Sequence, residues 1–179
     1  MKILTLFNSI RLIISLLGVI AMMTSCTTIG QLANASEKNK HQGQALARHN
    51  KFRVRHHAPN LVWDNTLADY AERHAQHCQF KHSSSPYGEN LAAGYMSMTA
   101  AINAWYAEHI AYSYAHPGFS MATGHFTQLV WKSTKKLGCG YAQCHDKRGT
   151  PWKFWVCEYS PAGNILGKFK ANVLPESHQ

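Results

Sequence analysis

The octapeptide Gly124–Trp131, which reads GHFTQLVW, constrains the fold more than any other stretch of the chain. Glycine at its start permits a sharp turn of the backbone, because it has no Cβ to clash. We expect the apolar residues that follow to be buried and His125 to point into a cavity. A histidine held in this way serves as a metal ligand or a general base. Alternatively, it is a buried histidine that only completes a hydrogen-bond network in the core.

The first 25 residues are predicted to be a signal peptide rather than part of the fold. Two basic residues precede an apolar run of twelve residues, from 12 to 23. A membrane-spanning helix needs about 20 apolar residues, whereas this shorter run is typical of signal peptides. The segment Met23–Cys26 resembles a bacterial lipobox, in which Cys26 is lipidated and anchors the protein to a membrane. Cleavage after Ala35 is the alternative and would release a soluble protein.

The chain that remains is long enough for one domain with a substantial core. We predict a flexible tether over residues 26–40, one domain over 41–170 and a loosely held tail over 171–179. The tether is polar and shows no periodicity. The formal net charge is +9, but the basic residues are scattered and no nucleic-acid-reading motif accompanies them. We therefore expect an extracytoplasmic protein with no nucleic-acid partner.

The chain has five cysteines, and setting Cys26 aside leaves an even number: Cys78, Cys139, Cys144 and Cys157. In an oxidising compartment four cysteines indicate two disulfides. Three pairings are possible, and their spacing alone does not decide among them. The spacings differ from those of a CxxC zinc site.

Apolar periodicity and turn residues predict a mixture of helices and strands. The predicted helices cover residues 43–57, the segment between Asp64 and Cys78, and residues 99–112, and the predicted strands cover residues 87–92, 137–144 and 152–159. Asp64 is expected to cap the second helix. In the first helix His49, Asn50 and Arg53 share a face, and we expect a structural hydrogen-bond network there. In the third helix Glu108 shares the apolar face with Trp105, so it requires a partner when it is buried.

Four blocks of the sequence, taken in order, resemble the CAP superfamily of cysteine-rich secretory, antigen five and pathogenesis-related proteins, also called the SCP domain. The blocks are YGENLA from Tyr87, Trp105 with Glu108, GHFTQLVW from Gly124, and FWVCEYSPAGNI from Phe154. The resemblance runs from about residue 41 to about residue 170. It implies an α+β fold, a three-layer α-β-α sandwich with a central, mostly antiparallel sheet. The lipobox and the resemblance together suggest an exported member from a bacterium.

The resemblance also implies disulfide pairings and a site. It pairs Cys78 with Cys139 and Cys144 with Cys157. It brings His82, Glu89, Glu108 and His125 together in one cleft, which Gln128 is expected to line as well. The site departs from the family pattern near one end, because Glu158 stands where relatives usually carry an amide or a histidine. Whether Glu158 faces the cleft is left open.

Two histidines and two carboxylates brought together share protons or bind a cation. His82 and His125 are the predicted metal ligands, and zinc or another divalent cation is the expected cofactor. The carboxylates of Glu89 and Glu108 would orient the histidines, or would hold them without any metal. Glu89 and Glu108 are also the candidate catalytic residues.

Three functions compete on these residues. The first is a metal-binding interaction module without turnover, with an envelope or host component as its partner. The second is a hydrolase in which a metal or a His–Glu pair activates water, although no G-x-S-x-G nucleophile motif is present. The third is a module that binds a lipid or sterol, as in some eukaryotic relatives, through apolar walls near residues 113–123. A polar cluster that only locks the core is the remaining alternative.

Overall fold

The computed structural model describes residues 31–32 and 35–176, and the predicted leader with its lipidation site at Cys26 lies outside this range. The chain divides into two compact units, Met1–Lys40 and His41–Gln179. In the first unit, residues 31–32 and 35–40 are helical rather than irregular as predicted. Alanine, glutamate and lysine in this stretch favour helix. Among the described residues, no helix is long and apolar enough to cross a membrane.

The second unit is a mixed sheet with helices on both faces. In chain order its elements are α1 over residues 41–55, β1 Val62–Trp63, α2 Asn65–Gln76, β2 Gly88–Ala93, α3 Met98–Ala107, a 3₁₀ turn Glu108–Ala111, α4 Gly124–Val130, β3 Lys136–His145, β4 Pro151–Ser160 and α5 Phe169–Asn172. The strand order is β1-β3-β4-β2. Strand β1 is parallel to β3, and the other two pairs are antiparallel. The predicted α+β fold is therefore confirmed, while the GHFTQLVW stretch, predicted as a turn, forms helix α4.

Local sequence explains where several elements begin and end. Asp64 caps α2 as predicted, because its side chain accepts hydrogen bonds from the backbone N–H groups of Thr66 and Leu67. The hairpin between β3 and β4 turns at Asp146, whose carboxylate accepts two backbone hydrogen bonds of 2.8 Å. Gly149 in the same turn has φ 80°, a left-handed conformation that favours glycine. These contacts fix the register of the long hairpin.

Alternation along β4 separates two apolar layers, one on each face of the sheet. Phe154 and Val156 pack toward α2, in a cluster with Ala71, Ala75, Leu91 and Cys144. Trp155, Cys157 and Tyr159 point to the opposite face, in the larger cluster that includes residues of α1, α3 and α4. The central sheet therefore lies between two helical layers, as a three-layer α-β-α sandwich requires.

The disulfide pairing predicted from the resemblance is wrong. The structure joins Cys78 to Cys144 and Cys139 to Cys157, with Cα–Cα distances of 5.7 Å and 4.1 Å. Register explains the second bridge, because Cys139 and Cys157 are directly opposite each other on β3 and β4. The first bridge lies on the other face, where Cys144 packs against the α2 layer that ends near Cys78. Cys144 and Cys157 point to opposite faces and cannot reach each other.

The segment after residue 170 is held more firmly than predicted. Helix α5 and the residue that follows it bury Phe169 and Val173 in the main core. Lys132 donates its backbone N–H to the carbonyl of Asn172 at 2.9 Å. Farther along, Glu176 accepts a 2.8 Å hydrogen bond from Arg55. The apolar spacing of two residues in a short segment gave too weak a signal to predict this docking.

Candidate functional site

His82 lies in the loop between α2 and β2 and is oriented by a carboxylate on β2. Its Nδ1 is 2.7 Å from Oε1 of Glu89. The same oxygen accepts the backbone N–H of Ser83 at 3.0 Å, so the loop and the strand are tied at this point. The hydrogen bond to Glu89 raises the pKa of His82, and burial opposes this effect. The His82 side chain remains 65% exposed, whereas that of Glu89 is only 5% exposed.

His125 is oriented in the same way by Glu108. Its Nδ1 is 2.6 Å from Oε1 of Glu108. The other oxygen, Oε2, accepts the backbone N–H groups of His125 and Phe126 at 3.0 and 3.1 Å. The Glu108 carboxylate therefore satisfies two N–H groups in the first turn of α4, which have no partners within the helix. The Glu108 side chain is half-buried, at 21% exposed, and these contacts are the partners that burial of an acid requires. The His125 ring also stacks on Trp105 of α3.

The two histidines line one cavity of about 190 Å³. Its walls are formed by His82, Glu89, Asn90, Phe119, Met121, Gly124, His125 and Asn164. Each histidine uses Nδ1 to contact its carboxylate, and neither Nε2 atom has a hydrogen-bond partner among the described residues. An imidazole anchored through one nitrogen presents the other as an acceptor or metal ligand. The arrangement is therefore that of two pre-oriented imidazoles facing one small space.

Gln128 does not line this cavity, contrary to the sequence prediction. Its side chain is 1% exposed and lies beneath α4. Its Oε1 accepts the backbone N–H of Gly163 at 2.8 Å. A Cβ on Gly88 would lie 2.0 Å from the same oxygen, so the glycine leaves room for it. Gln128 therefore faces the core, where it ties α4 to the segment after β4.

Two asparagines complete the site, and the sequence prediction did not single them out. Asn164 donates to the carbonyl of Gly124 at 2.9 Å and accepts from Thr127 at 2.6 Å. Asn90 donates to the carbonyl of His125 at 3.0 Å and to the hydroxyl of Tyr159 at 3.2 Å. Both amides therefore fix the backbone that carries His125. Their only sequence signal was membership of the YGENLA and SPAGN blocks.

The predicted network on α1 is confirmed and supports α4 from below. Arg53 donates to the backbone carbonyls of Leu129, Trp131 and Thr134 at 2.9 to 3.0 Å. His49 is fully buried, and its Nε2 is 2.7 Å from the hydroxyl of Tyr159. Burial lowers the pKa of His49 to about 4, with a smaller opposing effect from its hydrogen bond to the backbone. These polar groups hold the helix that presents His125, and they do not reach the cavity.

Within residues 31–32 and 35–176, no group of three or more His, Cys, Asp or Glu side chains is arranged to hold a metal ion. The two histidines of the cavity therefore supply at most two protein ligands in this arrangement. A zinc ion held in this way would keep at least two positions for water or a bound molecule. Such open coordination fits a site that binds an exogenous ligand better than a closed structural zinc site.

Comparison with known proteins relates most of the domain to a described family. Residues 46–159 match the family model "CAP: Cysteine-rich secretory protein family". The chain is 44% identical over 132 residues to Protein PRY2 of Saccharomyces cerevisiae, a match covering 71% of the chain and 39% of the relative. It is 47% identical over 133 residues to Secreted protein RBT4 of Candida albicans, covering 69% and 36%. The chain thus spans less than half the length of these relatives.

Solved structures show the same fold. The crystal structure of NaASP2 with Zn²⁺ matches with a TM-score of 0.58 and 25% identity, and the match covers 77% of this chain and 86% of that one. The two relatives named above are yeast proteins, so they do not support the expected bacterial origin. The description of RBT4 as a secreted protein supports an extracytoplasmic location, whereas these relatives give no support to a lipid anchor.

Proposed function

Because the chain belongs to the cysteine-rich secretory protein (CAP) family, we propose that it is an exported binding module whose cleft holds a divalent cation, zinc above all, between His82 and His125. The observation that carries the proposal is the paired geometry of the cleft. Each imidazole is anchored through Nδ1 on a carboxylate, and both rings line the same cavity. Histidines that bind metals are oriented by carboxylates in this way. The zinc in the NaASP2 crystal structure adds support from a protein of the same fold.

Zinc titration by calorimetry tests the proposal directly. We expect one binding event in the wild type and its loss in both His82→Ala and His125→Ala. The chain contains 12 histidines, so His145→Ala serves as the matched control, since His145 is exposed at the end of β3 and should leave binding unchanged. Glu108→Gln should weaken binding by about 10- to 100-fold, the usual effect of losing a group that orients a ligand. Equal binding by wild type and the two histidine variants would refute the site.

Lipid or sterol binding is the second candidate, because a further cavity adjoins the first. It has a volume of about 160 Å³ and includes Tyr112 and Phe119 in its walls. Phe119 lines both cavities. Small-molecule pockets usually measure about 300–1,000 Å³, so this cavity would enclose only part of a lipid. Capture of a fluorescent fatty acid that fails in Phe119→Ser and persists in His82→Ala would favour this function over cation binding.

Hydrolysis has the weakest support. Both oxygens of Glu108 accept hydrogen bonds, and Glu89 orients His82 through the oxygen that also accepts the N–H of Ser83. The oxygens of Glu108 are thus engaged with His125 and α4, and the Glu89 side chain is only 5% exposed, so neither acid presents a free oxygen to a water molecule. We therefore expect peptide and ester libraries to show no turnover that Glu108→Gln abolishes.

The mature N-terminus, measured by mass spectrometry, tests the proposed export. A lipidated chain that starts at Cys26 indicates an anchored protein, and a chain that starts at Ser36 indicates a secreted protein.

A further inference from the structure

Strand β4 carries a glutamate in the interior of the protein, next to the cleft but outside the set of residues that line it. Glu158 is 0% exposed and lies directly opposite Glu89 of β2 in the antiparallel register. Because residues opposite each other point to the same face, both side chains extend toward the α2 layer. Side chains directly opposite each other on paired strands have Cβ atoms about 4.5–5.5 Å apart, so the two carboxyl groups are neighbours. Two acids thus share one buried space.

Within residues 31–32 and 35–176, no lysine or arginine side chain pairs with either glutamate. Ser85 donates to Oε2 of Glu158 at 3.5 Å, a long hydrogen bond. From α2, His74 Nε2 approaches Oε2 of Glu89 to 3.7 Å, but it also lies 2.9 Å from the carbonyl of Lys81, which requires it to be a donor. Oε1 of Glu158 and Oε2 of Glu89 are buried with no hydrogen-bond donor.

A single proton resolves the conflict. Two carboxylates in contact inside a protein cannot both be ionised, and one proton between them supplies the missing donor. Burial and the neighbouring Glu89 both raise the pKa of Glu158. For Glu89 burial acts in the same direction, yet hydrogen bonds from His82, Glu158 and Ser83 together lower its pKa. Glu89 also accepts the N–H of Ser83 at 3.0 Å and lies 2.7 Å from Nδ1 of His82, whereas among the described residues Glu158 accepts only the long bond from Ser85. The proton therefore belongs on Glu158, and the negative charge belongs on Glu89.

We propose that Glu158 is a positioning residue that stays a neutral carboxylic acid, donates a hydrogen bond to Oε2 of Glu89, and thereby fixes the Glu89 carboxylate on His82. The chain of contacts runs from Glu158 through Glu89 to Nδ1 of His82, whose ring lines the cavity. Glu158 touches no ligand itself and acts only through Glu89. The inference concerns the cleft of the proposed function, but it requires no metal, so both tests below use the metal-free protein.

The first test measures the protonation state of Glu158 in the wild type. The chain has six glutamates, and side-chain ¹³C labelling follows each carboxyl group through a pH titration by NMR. We expect one glutamate, identified by its absence in Glu158→Gln, to remain protonated at pH 7, with a midpoint at least about 3 pH units above its ordinary value, as buried carboxyl groups show. A Glu158 that is ionised at pH 7 in the wild type would overturn the proposal.

The second test measures positioning. An imidazole Nδ1–H held by a carboxylate gives a slowly exchanging proton signal, and that of His82 should persist in Glu158→Gln, whose amide N–H₂ still donates to Glu89. It should be lost or broadened in folded Glu158→Ala, which removes the donor. The His125 signal, held by Glu108, is the internal control and should persist in both variants. A His82 signal that persists in folded Glu158→Ala would overturn the positioning role.

Discussion

Replacing Arg53 tests how far a single buried side chain holds the helix that presents His125. Its guanidinium is 0% exposed and donates to four backbone carbonyls, those of Pro59, Leu129, Trp131 and Thr134. Burial lowers the pKa of Arg53 to about 10, which leaves it cationic at neutral pH. Three of the four carbonyls belong to the last turn of α4 and the loop after it, where a helix has no internal donors.

The magnitude follows from the number of acceptors left without a donor in Arg53→Met. Each buried carbonyl that loses its partner costs about 1–3 kcal/mol. The carbonyl of Trp131 keeps the backbone N–H of Thr134 at 3.1 Å and Pro59 is exposed, so the loss falls mainly on the carbonyls of Leu129 and Thr134. Removing a buried charge recovers part of this, because the guanidinium no longer has to be desolvated. We expect a net loss of about 2–4 kcal/mol in the free energy of unfolding, a large share of the 5–15 kcal/mol typical of a domain.

Urea unfolding of the oxidised protein at pH 7, followed by tryptophan fluorescence, measures the change. Lys51→Met is the matched control on the same helix, since Lys51 is exposed, and it should stay within about 0.5 kcal/mol of the wild type. Arg53→Lys should fall between the two, because an ammonium has three donors at most. A loss below about 1 kcal/mol in Arg53→Met, at an unchanged m-value, would refute the idea that these carbonyls depend on Arg53.

Three further predictions follow from the fold. Mass spectrometry of peptides from the unreduced protein should find the two disulfides of the structure. Replacing both cysteines of a bridge by serine should lower the free energy of unfolding by about 4 kcal/mol for Cys78–Cys144 and by about 3 kcal/mol for Cys139–Cys157, since the first closes the longer loop. The free energy of unfolding of the wild type should fall by on the order of 2–3 kcal/mol as the pH falls from 6.5 to about 4, because unfolding lets His49 take up a proton that burial denies it. Urea titrations at several pH values should show that this part of the pH dependence is absent in His49→Phe. Gly138→Ala should destabilise the protein by at least about 1–3 kcal/mol, because the new Cβ would lie 2.1 Å from the backbone nitrogen of Ala68 in α2. Gly43→Ala in α1 is the control: its Cβ meets no atom within 4 Å, so the change should be neutral or stabilising in the same assay.

Local chemistry in the sequence determined the elements and part of the site. The cap at Asp64 and the apolar stripe after it predicted α2, since both act within one or two helical turns. Alternation and turn residues predicted the long hairpin. The inward orientation of Glu108 followed from its spacing from Trp105, and its need for a partner followed from the cost of burying an acid. The grouping of the two His–Glu pairs came from a resemblance and not from spacing.

Only the tertiary structure decided how distant segments meet. The disulfides depend on which residues of β3 and β4 are opposite and on which face each cysteine points, and a shift of one residue in register would reverse every face. The same register places Glu158 beside Glu89, and nothing in the local sequence of either strand predicts that contact. Gln128 faces the core because Gly88 and Gly163 leave room for its side chain there, and the tail docks because Phe169 and Val173 are buried in the main core. Such outcomes depend on packing among residues that are far apart in the chain, which a local pattern does not encode.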